Sequence, residues 1–302
     1  VGPAERACLE SAERPIVILE LKGDAGLAPE VAPGMGSVGV MLAYTPLHIL
    51  LLERVGRPLV MTSGNASEEP IATGTEEARE RLGPIVDGLL LHDREIVARY
   101  DDSVMRVVDD APVFLRRARG YAPLPLELPV AAEVPLLAVG PHLKNTFALA
   151  EGTSAFVSQH IGDLENLETL QHFRASLDRL RALFRIQPEA VVADLHPAYL
   201  STRVALEFSR EQGIPLLPPV QHHHAHVAAV LGEWGRVEPA LGLAFDGTGY
   251  GEDDAVWGAE FLAADLTGYR RLAHLDYAPL PGGDLAARNP WRTALGLSLI
   301  HI

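Results

Sequence analysis

Apolar positions along the first third of the chain fall in short continuous runs, the mark of strands buried on both faces. Arg14–Glu20 encloses Pro-Ile-Val-Ile-Leu and predicts a buried strand. Residues 47–55 read as a helix. Pro58–Thr62 is a second apolar run, ending in the polar turn Ser63-Gly64-Asn65-Ala66-Ser67. Thr75, followed by Glu76 and Glu77, predicts the cap and acidic first turn of a short helix that Gly83 closes. Residues 85–91 read as a strand. Residues 103–108 and 112–117 read as a hairpin turning at Asp109-Asp110-Ala111.

The rhythm changes after residue 121. Pro123, Pro125, Pro129 and Pro135 interrupt every period, so a linker is expected over 123–135 between domains at 1–122 and 136–302. Beyond it, residues 136–139, 146–150 and 155–159 read as strands, the last two joined at Glu151-Gly152. Leu167, Leu170, Phe173, Leu177, Leu180 and Phe184 share one helical face. A strand (190–194), a helix (200–210, closed by Gly213), a strand (214–217), a helix (222–234) and a strand (241–245) follow. Strands alternating with helices imply an α/β fold with some parallel pairing, and the order matches a ribonuclease-H-like, actin-like core.

Composition narrows the classes. With 40 acidic against 25 basic residues the net charge is −15, which argues against duplex DNA binding through phosphate neutralisation. Cys8 is the only cysteine, so neither an intramolecular disulfide nor a cysteine-based zinc finger can form, and a reducing cytoplasm fits. Residues 31–52 carry no charged side chain, but Gly34, Gly36, Gly39, Pro33 and Pro46 break the stretch, so no membrane span is expected. The chain opens on Val and closes on Leu-Ser-Leu-Ile-His-Ile; both ends are expected to be cuts.

The strongest chemical signal is Gln221-His222-His223-His224-Ala225-His226, which places four of the 12 histidines within five positions. Residues four apart share a helix face, so His222 and His226 can converge on a metal ion; His223 and His226, three apart, can also meet. At least one further ligand, a carboxylate, is then required. Asp246-Gly247-Thr248-Gly249-Tyr250-Gly251 follows a strand, and such a loop can turn backbone N–H groups toward phosphate, with Asp246 placed for a metal or its bound water. Thr62-Ser63-Gly64-Asn65 sits at another strand end. Arg94, Arg99, Arg106, Arg116, Arg117 and Arg119 form an arginine-dense stretch suited to phosphate or carboxylate oxygens, or to surface pairing with Asp101, Asp102, Asp109 and Asp110.

Together these motifs resemble the HypF-type hydrogenase-maturation carbamoyltransferases. The matching segments run from 41–48 through Glu69-Pro70-Ile71, 92–94, 99–104, 116–123, 143–149, 158–165 and Asp194-Leu195-His196-Pro197 to Pro281-Gly282-Gly283-Asp284 and Pro290-Trp291-Arg292. Ala43 stands where the pattern expects Pro, and Asn289 where it expects Glu. The resemblance implies the later part of a YrdC-like adenylate-forming domain followed by the first part of a TsaD-like transfer domain. An acylphosphatase domain and zinc-finger region would precede this chain, and a later metal-binding Asp would follow it. It implies that carbamoyl phosphate and ATP give carbamoyl-adenylate, whose carbamoyl group passes to the C-terminal cysteine of a HypE-type partner, with Mg accompanying ATP. By this reading Asp246 and Arg117 are catalytic, and His222 and His226 hold zinc or iron. Thr62, Ser63, Asn65, Ser103, Arg106, Arg116, Lys144, Asn145, Gly247, Thr248 and Gly249 bind nucleotide. A chain of this extent alone is expected to be inactive. The rivals are threonylcarbamoyl-adenosine synthesis on tRNA, which uses the same two domain types, and a non-enzymatic metal- or RNA-binding module.

Overall fold

The computed structural model describes residues 1–23, 26–65, 70–283, 285–286 and 289–299. Ala66, Ser67, Glu69, Asp284 and the closing Ile300, His301 and Ile302, all part of motifs read above, lie outside the described residues. The chain forms two compact units. The first comprises Val1–Leu126, His142–Leu149 and Ala155–Gln187; the second comprises Glu127–Pro141, Ala150–Ser154 and Pro188–Ile302. The long helix at 167–184, expected within a contiguous second domain, therefore packs in the first unit.

In the first unit, helix α1 (Pro3–Glu10) precedes strand β1 (Ile16–Glu20). Strands β2 (Ser37–Val40), β3 (Val104–Val108) and β4 (Ala111–Arg116) complete a four-stranded sheet in the order β2-β1-β3-β4. β1 runs parallel to β3 and antiparallel to β2. Alternation in β1 turns Val17 and Leu19 inward, where they meet Leu9 of α1. The hairpin turn uses Asp109 and Asp110, both at positive φ, a conformation that Asp tolerates better than most residues. Helix α2 (Pro46–Val55) starts with the Thr45 hydroxyl accepting from His48 N–H and ends at Gly56 in the left-handed region. Helix α3 (Thr75–Leu82) has Gly74, not Thr75, at its cap: Glu77 reaches back to the N–H groups of Thr73 and Gly74. The apolar runs 58–62 and 85–91 form no strand, for most of these residues are exposed rather than paired in a sheet.

The proline-rich segment departs from the expected linker. It is largely strand β5 (Leu126–Ala138), whose last three residues pair in parallel with β7 (Ala190–Val192). Proline's fixed φ suits an extended backbone, and Pro129 and Pro135 lie outside that paired stretch. Strand β6 (Ala148–Val157) contains Gly152 at φ 56°, and Ser158 N–H bonds back to Phe147 O, as a fold-back at Glu151-Gly152 requires. Helix α4 (Leu167–Phe184) is capped by the Asn166 side chain and buries Phe173, Leu177 and Leu180, with Phe173 against Phe147. The exposed Leu167 lies at the solvent end of the predicted face.

In the second unit, helix α5 (Leu200–Gln212) ends at Gly213 as expected. The predicted strand at 214–217 is reduced to single bridges, Val191 to Leu216 and Asp194 to Val220. Pro215, Pro218 and Pro219 have no N–H to extend the ladder. Helix α6 (His222–Glu233) packs on an antiparallel sheet of β8 (Ala240–Ala244), β11 (Glu260–Ala264) and β12 (Tyr269–His274). Val227 and Leu231 meet Leu262 and Ala264 there. Gly242 leaves the space that Val227 fills. The short strands β9 (Gly249–Tyr250) and β10 (Val256–Trp257) form a separate hairpin, and α7 (Pro290–Leu299) follows.

Candidate functional site

Two constellations emerge, one in each unit. In the second unit, Asp194 leaves the end of β7 and bridges Val220, two residues before α6. That places its carboxylate beside the first turn of the helix. Gln221 is the N-cap, its side-chain oxygen accepting from His224 N–H at 3.0 Å. One turn of helix then brings His222 and His226 together, with their Nε2 atoms 3.2 Å apart. Asp246, just past β8, points its Oδ2 at both, 3.0 Å from each Nε2.

Three donor atoms thus form a triangle with edges of 3.0 to 3.2 Å. For a donor–metal distance of about 2.1 Å, adjacent positions around an octahedral ion lie about 3.0 Å apart and around a tetrahedral ion about 3.4 Å. The triangle fits one face of a divalent cation's shell, the two-histidine, one-carboxylate arrangement that leaves the remaining positions open. The same three atoms also lie within hydrogen-bonding distance of one another, so that a protonated imidazole nitrogen can donate to Asp246 in place of an ion. His222 Nδ1 lies 2.8 Å from Asp194 Oδ2, which fixes the proton on Nδ1 and leaves the Nε2 lone pair free for an ion. Asp194 Oδ1 is in turn held by the His196 N–H.

Electrostatics follow the geometry. The hydrogen bond to Asp194, then that to Asp246, push the His222 imidazolium up to about 9, against the opposing effect of burial. Burial would raise the Asp246 carboxyl, but bonds from His222, His223 and His226 override it and hold it far below the usual carboxylate range. His223, read as an alternative ligand, is turned away: it is fully buried, with Nε2 against Asp246 Oδ1. Two glycines of the loop are required by packing: a Cβ at Gly249 would lie 2.5 Å from His223 Cε1, and one at Gly251 would strike the Trp257 indole, whereas one at Gly247 would meet no atom within 4 Å. Thr248 is exposed.

In the first unit, a cavity of about 680 Å³ is lined by Ser63, Asn65, Arg116, Arg117 and Lys144 among the residues singled out from sequence. Its size is that of a small-ligand or nucleotide pocket. Arg99 joins them, with its Nε on Ile71 O. Arg117 donates through one nitrogen to Tyr121 O and Leu124 O. Lys144, at positive φ, donates its N–H to Asp163. Asp101, read above only as a surface partner for the arginines, and His160, quoted without a role, meet at 3.0 Å in the wall. Burial would raise the Asp101 carboxyl, yet the bond from His160 and the charge of Arg116 keep it low. Burial and the charges of Arg99 and Arg179 hold His172 down at about 4, so it faces the cavity as a neutral imidazole. Four cationic side chains with hydroxyl and amide groups suit a phosphate-bearing anion.

Several expected nucleotide contacts are not cavity residues. The Ser103 hydroxyl is buried and consumed internally, donating to Arg119 O and accepting from Ala118 N–H. Arg106 points to solvent from β3, on the face opposite Met105. Thr62 is exposed outside the lining, and Asn145 is buried, its backbone paired with Gly162 and Ile161. Strand alternation turns Arg106 outward in β3, whereas Ser103, Thr62 and Asn145 lie outside the strands and are placed by tertiary packing, which a motif does not reveal.

Residues 2–118 match the Sua5/YciO/YrdC family model, described as telomere recombination. Residues 131–233 match the HypF Kae1-like domain, and residues 242–301 match the second subdomain of the carbamoyltransferase Kae1-like domain. The fold is thus a YrdC-type α/β domain joined in one chain to a Kae1-like domain. Carbamoyltransferase HypF2 of Cupriavidus necator is 48% identical over 97% of this chain, and carbamoyltransferase HypF of Synechocystis is 47% identical over 96%. A crystal structure of full-length HypF in the phosphate- and nucleotide-bound form superposes with a TM-score of 0.92 at 48% identity, covering 98% of this chain and 46% of that one. The chain belongs to the HypF carbamoyltransferase family, an enzyme family. It spans 38% and 37% of the length of those two curated relatives.

Proposed function

We propose that the protein containing these residues makes carbamoyl-adenylate from ATP and carbamate derived from carbamoyl phosphate, and passes the carbamoyl group to the C-terminal cysteine of a HypE-type partner. One carbamate oxygen attacks the α-phosphorus of ATP and pyrophosphate leaves. The cysteine thiolate then attacks the carbamoyl carbon, forming a C–S bond as AMP departs with the electrons of the cleaved C–O bond. The observation that carries this reading is one chain of a carbamoyltransferase family holding both a cationic cavity and a three-donor His/Asp centre.

In the first unit, Arg116, Arg117 and Lys144 would neutralise phosphate oxygens, while Ser63 and Asn65 orient the nucleotide. In the second, His222, His226 and Asp246 would hold a divalent ion, zinc or iron. Bound there, that ion supplies Lewis-acid polarisation and a template for adenylate oxygens. Mg would accompany ATP. Because the acceptor sulfur belongs to the partner, Cys8 has no part in the chemistry. We assign a cytoplasmic setting; among the described residues no helix is long and apolar enough to cross a membrane.

The test assays the complete enzyme with ATP, carbamoyl phosphate and a peptide ending in the HypE-type cysteine, beside a parallel assay with threonine, bicarbonate and tRNA. Thiocarbamate on the peptide, lost in His222→Ala, is expected. A product on tRNA alone overturns the assignment.

A further inference from the structure

We infer that His223 is a positioning residue that aims the Asp246 carboxylate at the divalent ion, with its own tautomer set by the helix cap Gln221. This rests on the metal reading above and extends it to residues that do not touch the ion.

The backbone N–H of His224 can only donate, so the atom of Gln221 facing it at 3.0 Å is the oxygen. The Gln221 amide nitrogen is thereby left facing Tyr250 O at 3.2 Å and His223 Nδ1 at 3.1 Å. An amide nitrogen donates, so Nδ1 accepts and the ring proton of neutral His223 resides on Nε2. That nitrogen faces Asp246 Oδ1, and both atoms are sealed from solvent with no other partner among the described residues. His223 therefore occupies Oδ1 and leaves Oδ2 toward His222 and His226. The carboxylate is held to one ligating oxygen in one rotamer. Gly249 belongs to the same device, because any larger residue would intrude on the ring. The run of histidines divides by helix angle: His222 and His226 share the ligand face, and His223, 100° further round, is turned inward to fix the third ligand.

Zn²⁺ affinity, measured on the complete protein by competition with a chromogenic chelator, tests the inference, with circular dichroism as the fold control. His223→Phe keeps ring volume and removes the donor; affinity is expected to fall about 10- to 100-fold, as for other partners of metal ligands. His223→Gln restores an N–H near the same place and is expected to recover most of the loss. Unchanged affinity in His223→Phe overturns the proposal. Should that variant not fold, ¹⁵N shifts of the unaltered protein decide without substitution: a proton on Nε2 supports the proposal and one on Nδ1 overturns it. If the unaltered protein binds Zn²⁺ no better than a His222→Ala/His226→Ala control, the metal reading itself fails, and the positioning role with it.

Discussion

Proton competition at His222 gives the metal centre a steep pH dependence. Without an ion, His222 donates from Nδ1 to Asp194 at 2.8 Å and from Nε2 to Asp246 at 3.0 Å, and its pKa stands at about 9. An incoming cation must displace the Nε2 proton. Below pH 9 each unit of pH therefore changes apparent affinity about tenfold, or about 1.4 kcal/mol. Between pH 6 and pH 8 the gain in Zn²⁺ affinity should reach about 100-fold from this group alone. The metal-free fold shows the opposite trend. Its stabilisation by the His222 imidazolium is complete below the unfolded pKa of about 6.5 and fades as pH rises through about 9. Chelator competition at pH 6, 7 and 8 measures the first effect. Asp194→Asn removes the largest cause of the raised pKa, so its slope between pH 7 and 8 should flatten. A pH-independent affinity in the unaltered protein, or an equal slope in Asp194→Asn, refutes the reasoning.

Other perturbations have clear outcomes. Gly249→Ala places a methyl 2.5 Å from His223 Cε1 and 2.9 Å from His222 Cβ, and overpacking of this kind costs about 1–3 kcal/mol; chemical denaturation should register that loss together with weaker Zn²⁺ binding. Phe173→Ala empties a fully buried position against Phe147, and about 3–5 kcal/mol should disappear from urea unfolding of the first unit. Arg119→Met deletes bonds to Asp102, Glu13 O and Arg14 O and the stacking over Tyr44, leaving carbonyls behind; a loss of about 2–4 kcal/mol is expected by the same assay. Arg116→Ala should weaken ATP binding to the first unit at least tenfold by calorimetry while leaving Zn²⁺ affinity unchanged, since one Arg–phosphate pair contributes about 1.5–3 kcal/mol.

Local chemistry was legible in the chain itself. The spacing of His222 and His226 follows from 3.6 residues per turn, the face of α4 from the period of Phe173, Leu177 and Leu180, and the hairpin at Asp109-Asp110 from turn preference. Each depends on neighbours within a few residues, so sequence encodes it directly. Pairings across long separations were not legible. That Asp194, 28 residues before His222, steadies its ring depends on where β7 ends against α6. That His223 is inward and Ser103 internally satisfied depends on which face a sheet covers. Proline content suggested a linker where β5 runs, because an extended backbone tolerates the fixed φ wherever no ladder N–H is needed. Residue types and local periods determined what could bind; only tertiary packing, which sets burial and partners, decided which oxygen, nitrogen and arginine face the ligand.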